Sequence, residues 1–194
     1  ERESDMQVSD DLKHEHQLIL KYIELMERYI DFGQAYNNNE LFGDKAEAFI
    51  HFIQNFADTF HHAKEEDVLF KHMAAPDVLT HCNPLPQMLM EHDLGRGCVQ
   101  RMKDALSKDD WDSLAKSARE YGVILREHIF KEDNILFPMA EESIADANKK
   151  SVKEEYAQAE ARLDGSALWK EHETKFAELE MDFENALSKE MALA

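Results

Sequence analysis

Basic side chains are scarce in this chain: 22 Lys and Arg stand against 41 Asp and Glu in 194 residues, a formal charge of -19. Binding nucleic-acid phosphates takes clustered cations, so the imbalance excludes duplex and single-stranded nucleic acid as partners and disfavours an anionic membrane surface. Apolar runs extend only a few residues, too short for a membrane span or a signal-peptide core, and a cytoplasmic location is expected. The chain opens on Glu1 rather than methionine, which fits a lost tag or leader. Six glycines and four prolines allow few turns and disfavour a fold of many short strands. Two cysteines, Cys82 and Cys98, form no CxxC pair and cannot build a disulfide scaffold; reduced thiols are expected. The hydrophobic share of 43% is enough for a core, so the acidity belongs to a solvated surface.

What the chain has is helical periodicity. Leu12, Ile19, Ile23, Met26 and Ile30 form one stripe from about Ser9 to Phe32, with Gly33 expected to end it. A second segment begins near Asp44 and passes Phe70, carrying Phe49, Phe52, Ile53, Phe56 and Phe60. After Pro76, Pro84 and Pro86, a third carries Met88, Leu89, Val99, Met102 and Leu106. The fourth starts after Asp110 and runs to Pro138 or just beyond, with Ile124, Leu125, Ile135, Leu136 and Met139. Four amphipathic helices with modest loops predict an all-α, up-down-up-down four-helix bundle over residues 1–145. Two further helical runs, split at Asp164-Gly165-Ser166, predict a C-terminal extension over residues 146–194. It is expected to pack on the bundle or to form a homodimer contact.

The chain also has ten histidines and an internal repeat. The string from His61 to Phe70 aligns without a gap with that from His128 to Phe137, both reading H-x-x-K-E-x-x-x-L-F. Glu15-His16 and Glu91-His92 mark the first and third segments. Each half is therefore one helix with EH followed by one with HxxKExxxLF, a duplicated helical hairpin.

Spacing alone is weak, because HxxxE arises by chance in a Glu-rich chain. Helical phase strengthens it. At about 100° per residue, His128 and Glu132 fall in the apolar stripe of the fourth segment, where burial is costly unless both are paired or metal-bound. The alignment, rather than the Phe stripe, selects His61 and Glu65 over His62 and Glu66. His92 is in phase with Met88 and Val99, and His16 with Leu12 and Ile19, whereas His14 points away. Four inward histidines and two inward glutamates suit iron, manganese or zinc. With both carboxylates bridging, His16 and His61 would serve one ion and His92 and His128 the other.

With these residues in view, the chain resembles the hemerythrin-like, or HHE cation-binding, family over about residues 10 to 140. The resemblance rests on His16, His61-x-x-x-Glu65, His92 and His128-x-x-x-Glu132 with the strings HHAKEEDVLF, MEHDLGR and REHIFKEDNILFP. Ferritin-like bundles are less similar, their motif being Glu-x-x-His. The resemblance implies a centre of two non-haem irons, oxo- or hydroxo-bridged, with manganese or zinc as lesser alternatives. It further implies a protein that binds oxygen or nitric oxide for sensing, storage or delivery. Iron donation in iron–sulfur-cluster repair, or reduction of peroxide or nitric oxide at the same site, is the alternative.

One departure stands out. Oxygen-carrying members have a second histidine four residues after the one on the third helix, where this chain has Arg96. Four histidines rather than five resemble the bacterial repair members, so reversible oxygen carriage is less expected. Lys64 and Lys131 read as boundary lysines reaching solvent, ahead of the alternative that each tunes a carboxylate behind the ligands, and Glu15 and Glu91 read as exposed neighbours of ligands. His51, His72, His81, Cys82 and His172 read as surface or edge residues.

Overall fold

The structure, a computed structural model, describes residues 7–193; residues 1–6 of the expected 1–145 unit, and Ala194, lie outside that range. Among the described residues there are six helices and no strand. They are α1 (Asp10–Tyr36), α2 (residues 40–73), α3 (Leu85–Leu106), α4 (residues 111–143), α5 (Asp146–Leu163) and α6 (Gly165–Leu193). None is long and apolar enough to cross a membrane.

The first boundary differs from expectation. Gly33 lies inside α1, and the helix ends at Asn37, whose φ of 53° is left-handed. A methyl group on Gly33 would stand 2.8 Å from Asn39 Oδ1, so the glycine serves the close approach of the returning chain. The connection is correspondingly short and α2 starts at Glu40.

Two apolar clusters fix the topology. One contains Leu18 to Phe32 of α1, Phe42 to Phe60 of α2, Cys98 to Ala105 of α3 and Leu114 to Ile129 of α4. The other contains Leu12, then Val68 to Met73, then Leu85 and Met88, then Leu136 to Ala140. Along successive helices the order of the clusters reverses, which is the signature of an up-down-up-down bundle. His16, His61, Glu65, His92 and Glu132 fall in the gap between them, and His128 borders it beside Ile129.

Winding is not uniform at this level. Ile53–His62 and Glu65–Leu69 of α2, and Glu132–Leu136 of α4, are π-helical. A π turn inserts an extra residue and rotates everything beyond it, and such turns concentrate at functional sites. This is why the Phe stripe could not separate His61 from His62, and why Ile135, placed in the apolar stripe by regular phase, is half-exposed.

The C-terminal helices complete both clusters. Val152 and Tyr156 of α5 join the second, while Leu179 and Phe183 of α6 join the first. Two bundle tyrosines hold α6 by its main chain: Tyr22 Oη donates to the His172 carbonyl and Tyr29 Oη to that of Leu179, each at 2.7 Å.

Candidate metal centre

All six sequence-selected residues converge at the gap between the apolar clusters, each at most 1% exposed. α1 and α2 bring His16 and His61 together with 3.0 Å between their Nε2 atoms, and α3 and α4 do the same for His92 and His128, also at 3.0 Å. Glu65 spans the two pairs, with Oε1 3.5 Å from His61 Nε2 and Oε2 3.4 Å from His92 Nε2. Glu132 spans them the other way, with Oε1 3.1 Å from His128 Nε2 and Oε2 3.3 Å from His16 Nε2. The internal repeat thus produces a pseudo-twofold arrangement.

These donors fit metal ions rather than one another. Both oxygens of Glu65 and both of Glu132 are buried without a hydrogen-bond partner, a costly state for four carboxylate oxygens. Metal bonds of about 2.0–2.2 Å put neighbouring His and carboxylate donors about 3–3.5 Å apart at tetrahedral to octahedral angles, which is the spacing seen. Two groups of donor atoms mutually within 4.8 Å could each hold an ion: His16, His61, Glu65 and Glu132, and His62, Glu65, His92 and His128.

A ring of carboxylates surrounds the imidazoles. His16 Nδ1 donates to Asp133 at 2.8 Å, His61 Nδ1 to Glu15 at 2.8 Å, His92 Nδ1 to Glu66 at 2.6 Å and His128 Nδ1 to Glu91 at 2.8 Å. Each bond holds a proton on Nδ1 and turns Nε2 inward, the orientation that metal ligation needs. Glu15 and Glu91, expected on exposed faces, are therefore buried. At this level each helix touches two neighbours, so the residue one step from an inward histidine meets the adjacent helix instead of water.

Lys64 also departs from expectation. It is 0% exposed and pairs with Glu15 and with Glu160 of α5, the latter at 2.9 Å. Its counterpart Lys131 pairs with Glu91 and keeps partial access to solvent. The signal was present in the EH and KE dipeptides, which recur together in both halves of the repeat.

Protons stand in where cations could bind. Burial opposes a charge on His16, but the Asp133 and Glu132 contacts outweigh it and push its pKa up to about 10. At His92 burial is likewise outweighed, by Glu65 and Glu66, which raise it to about 9. His61 goes the other way: burial dominates and lowers it to about 3. A metal ion entering this centre would displace the protons on His16 and His92.

Of the remaining histidines, His14 is exposed and stacks on Trp169 with 4.7 Å between ring centroids. His81 and Cys82 are exposed, and His72 bonds to Glu155 at 2.9 Å. His172, read as a surface residue, is 1% exposed because α6 folds that face onto Tyr22, Phe52 and Phe56. Arg96 clamps three carboxylates, reaching Asp58 at 2.8 Å, Glu66 at 2.7 Å and Asp93 at 3.0 Å.

Residues 7–140 match the family described as the hemerythrin HHE cation-binding domain. The chain belongs to that family. Comparisons with curated proteins and with solved structures return no match. As a hemerythrin HHE domain the chain is a cation-binding protein, and its matched span ends three residues before α4 does.

Proposed function

We propose that this hemerythrin HHE chain holds two non-haem irons and binds oxygen or nitric oxide there for sensing, storage or delivery. The observation that carries the reading is the pair of buried, hydrogen-bond-free carboxylates, Glu65 and Glu132, each reaching one histidine of both Nε2 pairs. His16 and His61 would hold one ion, His92 and His128 the other, and the glutamates would be shared. An imidazole and carboxylate donor set suits iron over softer metals. Bound iron would supply open coordination positions and redox chemistry at an otherwise inert apolar core.

The protein's own part is to orient and to exclude. The five carboxylates Glu15, Asp58, Glu66, Glu91 and Asp133 hold imidazole protons at Nδ1. Leu69 and Phe137, both fully buried, keep bulk water from one side. On the other side a cavity of about 220 Å³, lined by His62, His92, Arg96 and Tyr121, reaches the His92 ring and is large enough for a diatomic ligand. Residues 1–145 would be the metal-binding unit and 146–194 a helical cover for it.

Metal content per chain, with optical spectra of the anaerobically reduced protein before and after air, nitric oxide and azide, tests this. Two irons with ligand-dependent charge-transfer bands are expected. Zinc, or no metal, with an unresponsive spectrum would leave the fold and remove the proposed role.

A further inference from the structure

His62 was set aside by the repeat, since its counterpart Ile129 carries no donor. Yet it is buried, 5% exposed, and its ring lies parallel to that of His92 with centroids 3.7 Å apart. Its Nδ1 is bonded to Asp58 at 3.2 Å. Its Nε2 is buried and has no hydrogen-bond partner.

His62 shares with the four selected histidines a carboxylate at Nδ1 and a buried Nε2, and its own Nε2 is unpartnered. A donor atom of His62 lies within 4.8 Å of donors from Glu65, His92 and His128. Asp58, which orients it, is itself held by Arg96. The pseudo-twofold symmetry offers the opposite pair nothing similar, because Ile129 occupies the equivalent position.

We propose that His62 is a fifth histidine ligand, acting on the ion held by His92 and His128, so that the two metal positions are chemically unequal. The inference rests on the two-iron reading above and adds to it a direction. The His92/His128 ion has three imidazoles and two shared carboxylates, while the His16/His61 ion has two imidazoles and the same carboxylates. The latter is the less saturated ion, while the cavity lined by His62 and His92 lies beside the former. Through Asp58, Arg96 serves as a positioning residue for the extra imidazole.

Anaerobic titration of the full chain with ferrous iron against a competing chelator, with Mössbauer spectra of the loaded protein, tests this. The wild type is expected to bind two irons and show two distinct doublets of equal area. His62→Leu should bind one iron as before and the other at least about 10-fold more weakly, while the doublets change. Asp58→Asn keeps the imidazole but weakens its orientation, and about a 10-fold loss at the same ion is expected, in line with other carboxylates behind metal-bound histidines. It also supplies the answer if His62→Leu does not fold. Exposed His14→Leu should leave both affinities unchanged.

Two irons bound by wild type with affinities and doublets unaltered in both His62→Leu and Asp58→Asn would overturn the fifth ligand and leave the two-iron reading intact. A wild type that binds fewer than two ions would overturn that reading itself, and this inference with it.

Discussion

Lys64 and Glu15 form an ion pair sealed behind the His61 ring, with the lysine side chain 0% and the glutamate side chain 4% exposed. Burial pushes the Glu15 carboxyl up to about 7 even with the Lys64 charge drawing it down. Removing one member of a buried pair strands the other and costs about 3–5 kcal/mol. Lys64→Met is therefore expected to destabilise the metal-free chain by that order. Lys131→Met, at the half-repeat where the lysine side chain is 32% exposed, should cost far less because water can solvate what is left. Urea unfolding of the two variants beside wild type checks the asymmetry; equal losses would mean that burial does not set the cost.

On the two-ion proposal, the two glutamates that span both histidine pairs should be less replaceable than any histidine. Glu65 reaches both His61 and His92, and Glu132 reaches both His16 and His128. Glu65→Ala or Glu132→Ala is expected to weaken both ions together, whereas His16→Ala should weaken one strongly and spare the other. Metal content after dialysis at graded chelator concentration separates the patterns. Loss of a single ion from Glu65→Ala would show that its carboxylate serves one position only.

The sequence was legible where one physical rule acted alone. The bundle followed from 3.6-residue periodicity, and the inward residues on α1, α3 and α4 followed from phase. Reading failed where winding changed. The π-helical turns of α2 shift its phase by an amount that no periodic template contains, so neither His61 nor His62 could be excluded by angle, and both are buried. It failed again for Glu15, Glu91 and Lys64, because charge was taken to mean exposure. Their burial depends on partners 37 to 49 residues away in sequence. His172 was misread for the same reason: only the docking of α6, fixed by Tyr22 and Tyr29, brings it inside.

That docking makes the C-terminal segment part of the folded unit rather than an ornament. Without α6, the aromatic face formed by Tyr22, Phe49, Phe52 and Phe56 would meet water, and two buried tyrosine hydroxyls would lose their acceptors. A chain ending at Asp164 is expected to expose a contiguous apolar patch and to self-associate. Tyr29→Phe, which removes one hydrogen bond and no packing, should cost only about 1 kcal/mol. Light scattering of the truncated chain and urea unfolding of Tyr29→Phe test the two. A monodisperse, fully stable truncation would show that α6 covers nothing the bundle needs covered.

Acid should loosen the same contact through His172. Burial lowers its pKa, with Glu171 partly opposing and His51 on α2 assisting, and its Nε2 has no partner among Tyr22, Phe52 and Phe56. In the unfolded chain this imidazole takes up a proton near its ordinary value of about 6.5, while in the folded chain it resists until lower pH. The unfolded state therefore binds more protons in that window. Stability conferred by the neutral ring is complete above about pH 6.5 and declines below it, by no more than about 1.4 kcal/mol per pH unit for one proton. His172→Phe keeps the aromatic packing and the main-chain carbonyl that Tyr22 uses, but cannot be protonated. Unfolding of metal-free wild type and variant at pH 7.5 and pH 5 should show the smaller acid loss in the variant, all other titrating groups cancelling in the difference. Identical losses would place the acid sensitivity elsewhere in the chain.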